Sequence, residues 1–315
     1  MKKHKQELLA LFILTGLLFL LSACTPAQVD TDKPNENLNV VATTTFVGET
    51  VDIIAGDSIN LVVLLDPGIN PHAYEPTPKD VATIADADLV FANGVGLEVF
   101  LENILENAGE NAEIVYVSDG IELRSFNHKL THENETETGA GFDPHVWFDP
   151  NNIAVWTRNI ETTLNRLDPE NTETYTAQAE SYRVELENLD VWVRARVAQI
   201  PSENRKLVTD HTAFDYFADE YGFVQIGAVI PAPTTEAEPS GQQLAELEDA
   251  ILTYNVKAIF VGMGFDATLS QQVAEDTGVQ LVPLLFGSLT ASDGIADNYL
   301  DFTRYNVNAI VAALE

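Results

Sequence analysis

From Leu38 onward the chain alternates short apolar runs with stretches of helical spacing, and it does so twice. The runs occupy residues 39–43, 60–64, 89–91 and 114–117 in the first half, then 206–208, 224–226, 258–261 and 281–284 in the second. A strand that is apolar on consecutive residues must be covered on both faces, and intervening helices supply that cover. The pattern therefore predicts α/β architecture, with helices near 47–55 and 79–85 in the first half and another at the carboxyl end. A chain of 315 residues has room for two cores of ordinary size. The expected fold is two lobes, each a mainly parallel sheet flanked by helices.

Between the two halves Tyr182, Leu186, Leu189, Val193 and Val197 recur at spacings of four and three, which marks one face of a helix. Pro169 and Pro201 bracket it, and at ~1.5 Å per residue it would be roughly 45 Å long. One long, rigid helix joining the lobes is expected, giving a first lobe over 38–166, the linking helix over 167–200 and a second lobe over 201–315.

The amino terminus reads Met1-Lys2-Lys3-His4-Lys5, followed by an apolar run over 8–21, the pattern of a signal peptide. Leu21-Ser22-Ala23-Cys24 resembles a bacterial lipobox and contains the only cysteine. Residues 1–23 are expected to be removed, and Cys24 to carry a lipid that holds the protein at a membrane surface, on the cell surface or in the periplasm. Residues 24–37, poor in apolar side chains, read as a tether. With Cys24 modified, neither a disulfide nor a thiolate metal site is available. The formal charge of −33 falls to about −35 once Lys2, Lys3, Lys5 and Glu7 leave. Nucleic acid is excluded as a partner on that ground, and attachment to anionic headgroups must rest on the lipid.

His72 lies in Asn70-Pro71-His72-Ala73-Tyr74-Glu75-Pro76-Thr77-Pro78, His145 in Asp143-Pro144-His145-Val146-Trp147-Phe148-Asp149-Pro150, and His211 in Thr209-Asp210-His211-Thr212-Ala213-Phe214. Each sits between a predicted strand or loop and the helix after it, the end of an α/β sheet where ligands bind. They can meet only by tertiary folding, in a cleft between the lobes. Three imidazoles favour zinc, whereas carboxylate oxygens suit manganese. Asp143, Asp149 and Asp210 flank the histidines and could accept a ring N–H, with helix capping as the competing role for Asp149.

These three motifs, in this order, resemble those of the metal-binding lipoproteins that serve zinc and manganese ABC importers, over a stretch from about Leu38 to the end. The resemblance implies two α/β lobes joined by one long helix, with the metal held between them. It further implies that His72, His145 and His211 are the first three ligands, and that an ABC permease with its ATPase is the partner of a monomeric, lipid-anchored binding protein. Zn2+ is the expected transported ion because the third position is His, with Mn2+ or Fe2+ as alternatives. The fourth family position is usually acidic, whereas Ser288 stands there. Water is therefore expected as fourth ligand, with Asp293, Glu75 and Ser288 as the side-chain candidates. His128 and His132, in a polar stretch rich in acids, resemble the metal-collecting loop of zinc importers, with a plain solvated loop as the alternative. No enzyme is expected. Two rivals of other classes are a zinc hydrolase, which lacks a His-Glu-x-x-His helix here, and a surface adhesin.

Overall fold

The computed structural model describes residues 37–101, 104, 112–125 and 141–315. The first sheet contains β1 (Leu38–Ala42), β2 (Ile59–Val63), β3 (Leu89–Ala92) and β4 (Glu113–Tyr116), in the order β2-β1-β3-β4. The second contains β5 (Lys206–His211), β6 (Val224–Ile230), β7 (Ala258–Gly262) and β8 (Gln280–Leu284), in the order β6-β5-β7-β8. Every pairing in both sheets is parallel. The two halves thus repeat one topology, in which the chain starts in the interior and switches sides after the second strand. Burial follows position: β3 and β7 are buried along their whole length, while the edge strand β4 is exposed at both ends.

Local sequence sets the helix boundaries. The helix α1 (Thr45–Ala55) opens on Thr44, whose hydroxyl accepts from the Val47 N–H, and closes at Gly56 with φ +49°. The helix α2 (Pro78–Ala85) opens with a reciprocal capping box between Thr77 and Asp80. For α3 (Pro150–Leu167), Asp149 accepts from the Asn151 N–H and Pro150 fills the first turn. Capping is therefore the structural role of Asp149.

The linking helix is α4 (Thr172–Val197), 26 residues or about 39 Å long. It is a little shorter than expected because Pro169–Asn171 form a separate 3-10 turn. It buries Tyr175, Ala179, Tyr182, Leu186, Leu189, Val193 and Val197, the predicted stripe extended by two residues toward its amino end. It packs on α3 and α1 and also on the terminal helix α8 (Tyr299–Leu314), so it touches elements that accompany both sheets. The helices α5 (Asp215–Tyr221), α6 (Gly241–Thr253) and α7 (Thr268–Thr277) flank the second sheet.

One apolar cluster runs from Val40, Phe46 and Leu89 of the first sheet region through α4 to Phe214, Phe260, Phe286 and Phe302 of the second. Phe46 stacks on Trp147 at 5.2 Å and meets Phe302 edge-on at 4.8 Å. The Trp147 indole N–H donates to the Phe286 carbonyl, and the Tyr299 hydroxyl to the Trp147 carbonyl. The seam between the sheets is thus a packed aromatic interior.

Candidate metal centre

His211 is the last residue of β5, one step earlier in the fold than a loop position would place it. The strand can run on through Thr209 and Asp210 because their polar groups are satisfied internally. Asp210 Oδ2 accepts from the Gly262 N–H of β7 at 2.6 Å, bridging the point where the strand order reverses. Its Oδ1 accepts from both the backbone N–H and the Nδ1–H of His211, each at 2.7 Å. A side chain at Gly262 would meet the Phe265 ring at 2.4 Å and Asp210 Oδ2 at 3.2 Å, so the absence of a Cβ there keeps the carboxylate in place.

His145 enters from the turn ahead of α3. Asp143 Oδ1 accepts from the His145 backbone N–H at 2.9 Å and from its Nδ1–H at 2.7 Å. His72 sits on the 3-10 turn Pro71–Ala73 beyond β2, where Asn70 Oδ1 accepts from its backbone N–H. Among the described residues no carboxylate pairs with the His72 ring. His145 and His211 are each 1% exposed, whereas His72 is half-buried.

The three rings converge. His145 Nε2 lies 3.0 Å from His72 Nε2 and 3.3 Å from His211 Nε2, and the ligand nitrogens of all three fall within 4.8 Å of one another. With Nδ1–H committed to Asp143 and Asp210, the Nε2 atoms of His145 and His211 both carry lone pairs, and these face each other. Trp147 and Phe148 pack on the His145 ring, and Phe265 and Phe286 on that of His211, which shields the two rings from bulk solvent. Burial, and then the neighbouring imidazoles, push the His72 ring down to about 2. Burial likewise holds His145 well below its ordinary value, so both rings are neutral and free to ligate. Burial raises the Asp143 carboxyl to about 7, against the pull of the His145 N–H.

The other expected residues fall elsewhere. Ser288 Oγ accepts from the Gly68 N–H at 2.8 Å, and Glu75 and Asp293 are exposed. The histidine group closes without a carboxylate among the described residues. Cys24, His128 and His132 lie outside the described residues. Sequence reasoning missed Asn70, Gly262, Phe265 and Phe286. Only Asn70, two residues before a histidine and next to a proline, gives a local signal, that of an Asx turn.

A family model described as zinc-uptake complex component A, periplasmic, matches residues 40–313. The chain is similar to the manganese-binding lipoprotein MntA of Halalkalibacterium halodurans, 28% identical over 96% of this chain and 97% of that one. It is also similar to the manganese ABC transporter substrate-binding lipoprotein PsaA of Streptococcus pneumoniae, 32% identical over 98% of this chain and 99% of that one. Among solved structures, the periplasmic zinc binding protein TroA from Treponema pallidum superposes with a TM-score of 0.78 at 28% identity, covering 88% of this chain and 99% of that one. A Mn-bound periplasmic metal binding protein from Candidatus Liberibacter asiaticus gives 0.77 at 26% identity, with the same coverage. With two repeated parallel sheets, a helix along both and a buried histidine trio, the chain belongs to the family of zinc-uptake complex component A, the periplasmic metal-binding proteins that serve ABC metal importers.

Proposed function

We propose that the chain captures one divalent transition-metal ion, zinc in preference to manganese, through Nε2 of His72, His145 and His211, with water as fourth ligand, and delivers it to a permease and its ATPase. The single observation that carries this reading is the pair of lone-pair-bearing nitrogens of His145 and His211 facing each other at 3.3 Å between two buried rings. Such an arrangement is repulsive by itself and becomes favourable with a cation between the rings. Zinc held tetrahedrally by imidazoles at 2.0–2.1 Å brings its ligand nitrogens to roughly 3.3 Å from one another, which suits the separations of 3.0 and 3.3 Å.

The preference for zinc rests on the donor set. Three imidazole nitrogens, with no carboxylate beside them among the described residues, suit zinc better than manganese, which favours oxygen. The names of the manganese-binding relatives make manganese the proper competitor. We read residues 1–23 as a leader and 24–37 as a tether anchored by lipid on Cys24, outside the cytoplasm, a reading supported by the lipoprotein names of the relatives. No helix among the described residues is long and apolar enough to cross a membrane. The role is that of a monomeric carrier and not of a hydrolase.

Competitive titration of zinc against manganese tests the reading. The native protein is expected to prefer zinc by at least tenfold, and His211→Glu to narrow or reverse that preference by adding an oxygen donor. Equal affinity for both ions in the native protein would remove the zinc assignment.

A further inference from the structure

His72 differs from its two partners in a way that bears on release. His145 and His211 are locked by Asp143 and Asp210, whereas the His72 ring has no carboxylate behind it among the described residues and is the half-buried member of the trio. Its position depends on the loop that carries it, and that loop is held from the opposite side of the cleft. The Gly68 N–H donates to Ser288 Oγ at 2.8 Å, across 220 residues of sequence. Asn70 works in two directions: Oδ1 accepts from the His72 N–H at 3.0 Å, while Nδ2 donates to Thr235 Oγ1 at 2.8 Å.

Two glycines shape this junction. Gly68 has φ +86°, a left-handed conformation that other side chains adopt only with strain, and with it the loop presents its N–H to Ser288. A Cβ on Gly287 would stand 2.9 Å from Pro71 Cδ, so the second sheet's loop touches the residue just before His72. The contacts at 68, 70 and 71 all precede His72 by four residues or fewer.

We propose that Ser288 and Thr235 form a two-point clasp on the His72 loop, and that this clasp, acting through the position of His72, sets how long a bound metal ion stays. Both are positioning residues: neither touches the ion. Ser288 gives its oxygen to a hydrogen bond with the opposite loop. The entry step needs no clasp, since the other two histidines already point their lone pairs inward. The exit step needs His72 to lift, and lifting breaks both hydrogen bonds. This inference rests on the assignment of His72, His145 and His211 as ligands.

The test is chelator-driven release of zinc from the full-length folded protein, followed by stopped flow alongside the association rate. Ser288→Ala and Thr235→Val are each expected to speed release by about two- to tenfold, the yield of losing one hydrogen bond. The double variant is expected to speed it at least tenfold, with association changed less than twofold and Ser288→Thr restoring the native rate. The visible spectrum of the cobalt-substituted protein, which reports the ligand set, is expected to be the same in Ser288→Ala as in the native protein. Unchanged release in the double variant would overturn the clasp, and so would a changed cobalt spectrum in Ser288→Ala, since that makes the serine a ligand. His72→Ala separates the two readings: if it binds zinc as the native protein does, the ligand assignment itself fails, whatever the clasp variants do.

Discussion

Asp143, Asp149 and Asp210 are chemically alike and all lie close in sequence to His145 or His211, yet they do different work. Asp143 and Asp210 each take a ring N–H and so decide which imidazole nitrogen faces the pocket, while Asp149 caps α3. Asp210 is the most constrained, because its second oxygen also receives the Gly262 N–H at 2.6 Å. Asp210→Asn cannot satisfy both demands: if its oxygen serves the histidine, its NH2 group confronts the Gly262 N–H, donor against donor. The expected loss in zinc affinity, measured by competition with a chromophoric chelator, is about 10- to 100-fold. Asp149→Ala is the contrasting case, with affinity within threefold of native and a stability loss of about 1 kcal/mol by chemical denaturation. Equal effects on affinity would dissolve the distinction. The three histidines of the candidate site were legible because each stands in a short motif ahead of a helix, marked by proline at His72 and His145 and by the end of an apolar strand at His211. The division of labour among the aspartates was not, since it depends on where backbone N–H groups point. Gly68 with Ser288 and Asn70 with Thr235 were invisible for a different reason: they are joined by folding alone, and no local spacing encodes them.

At the scale of elements, the stripe on α4 and the apolar runs of the eight strands carried the architecture in the sequence, because buried faces must repeat with the period of the backbone. Joints between elements did not read out in the same way. Glu49 stands in α1, a helix buried on most sides, where its carboxylate accepts from the Tyr299 N–H at the start of α8 through both oxygens. Burial first, and then the nearby Asp297, Asp301 and Asp52, raise it from 4.5 to about 7. The unfolded chain therefore releases this proton near 4.5 and the folded protein near 7, so folding binds a proton in that window. Stability is lost as pH rises through it, and the loss is complete above 7. Glu49→Gln keeps an acceptor for Tyr299 and removes the charge. It is expected to stabilise the metal-free protein by about 1–3 kcal/mol at pH 8 and by much less at pH 4.5, as read from urea unfolding at the two pH values. An effect of equal size at both would mean that Glu49 titrates normally.

For the whole molecule, the question is whether two sheets of identical topology behave as two units or one. Each sheet keeps an apolar cluster of its own, around Val41 and Val90 in the first and around Val208 and Ile259 in the second, but the largest cluster is shared: it passes from Phe46 through Trp147 to Phe302, and α4 lies against helices that accompany both sheets. Opening the seam would expose the Phe46–Trp147 stack and break the hydrogen bonds from Trp147 to Phe286 and from Tyr299 to Trp147, so hinge-like separation of the sheets is costly. Motion is then expected to concentrate in the loops that close over the histidines. A second consequence concerns unfolding. Neither sheet can lose its packing without uncovering the other's, and calorimetry of the metal-free protein is therefore expected to give one transition whose van't Hoff and calorimetric enthalpies agree. Added zinc should raise that single transition by a free energy that grows with the logarithm of free metal, about 2.7 kcal/mol at a hundredfold excess over the dissociation constant. Two resolved transitions, with only one of them moved by zinc, would show that the sheets fold separately. Such a result would also shift metal release from lifting of the His72 loop toward separation of the sheets.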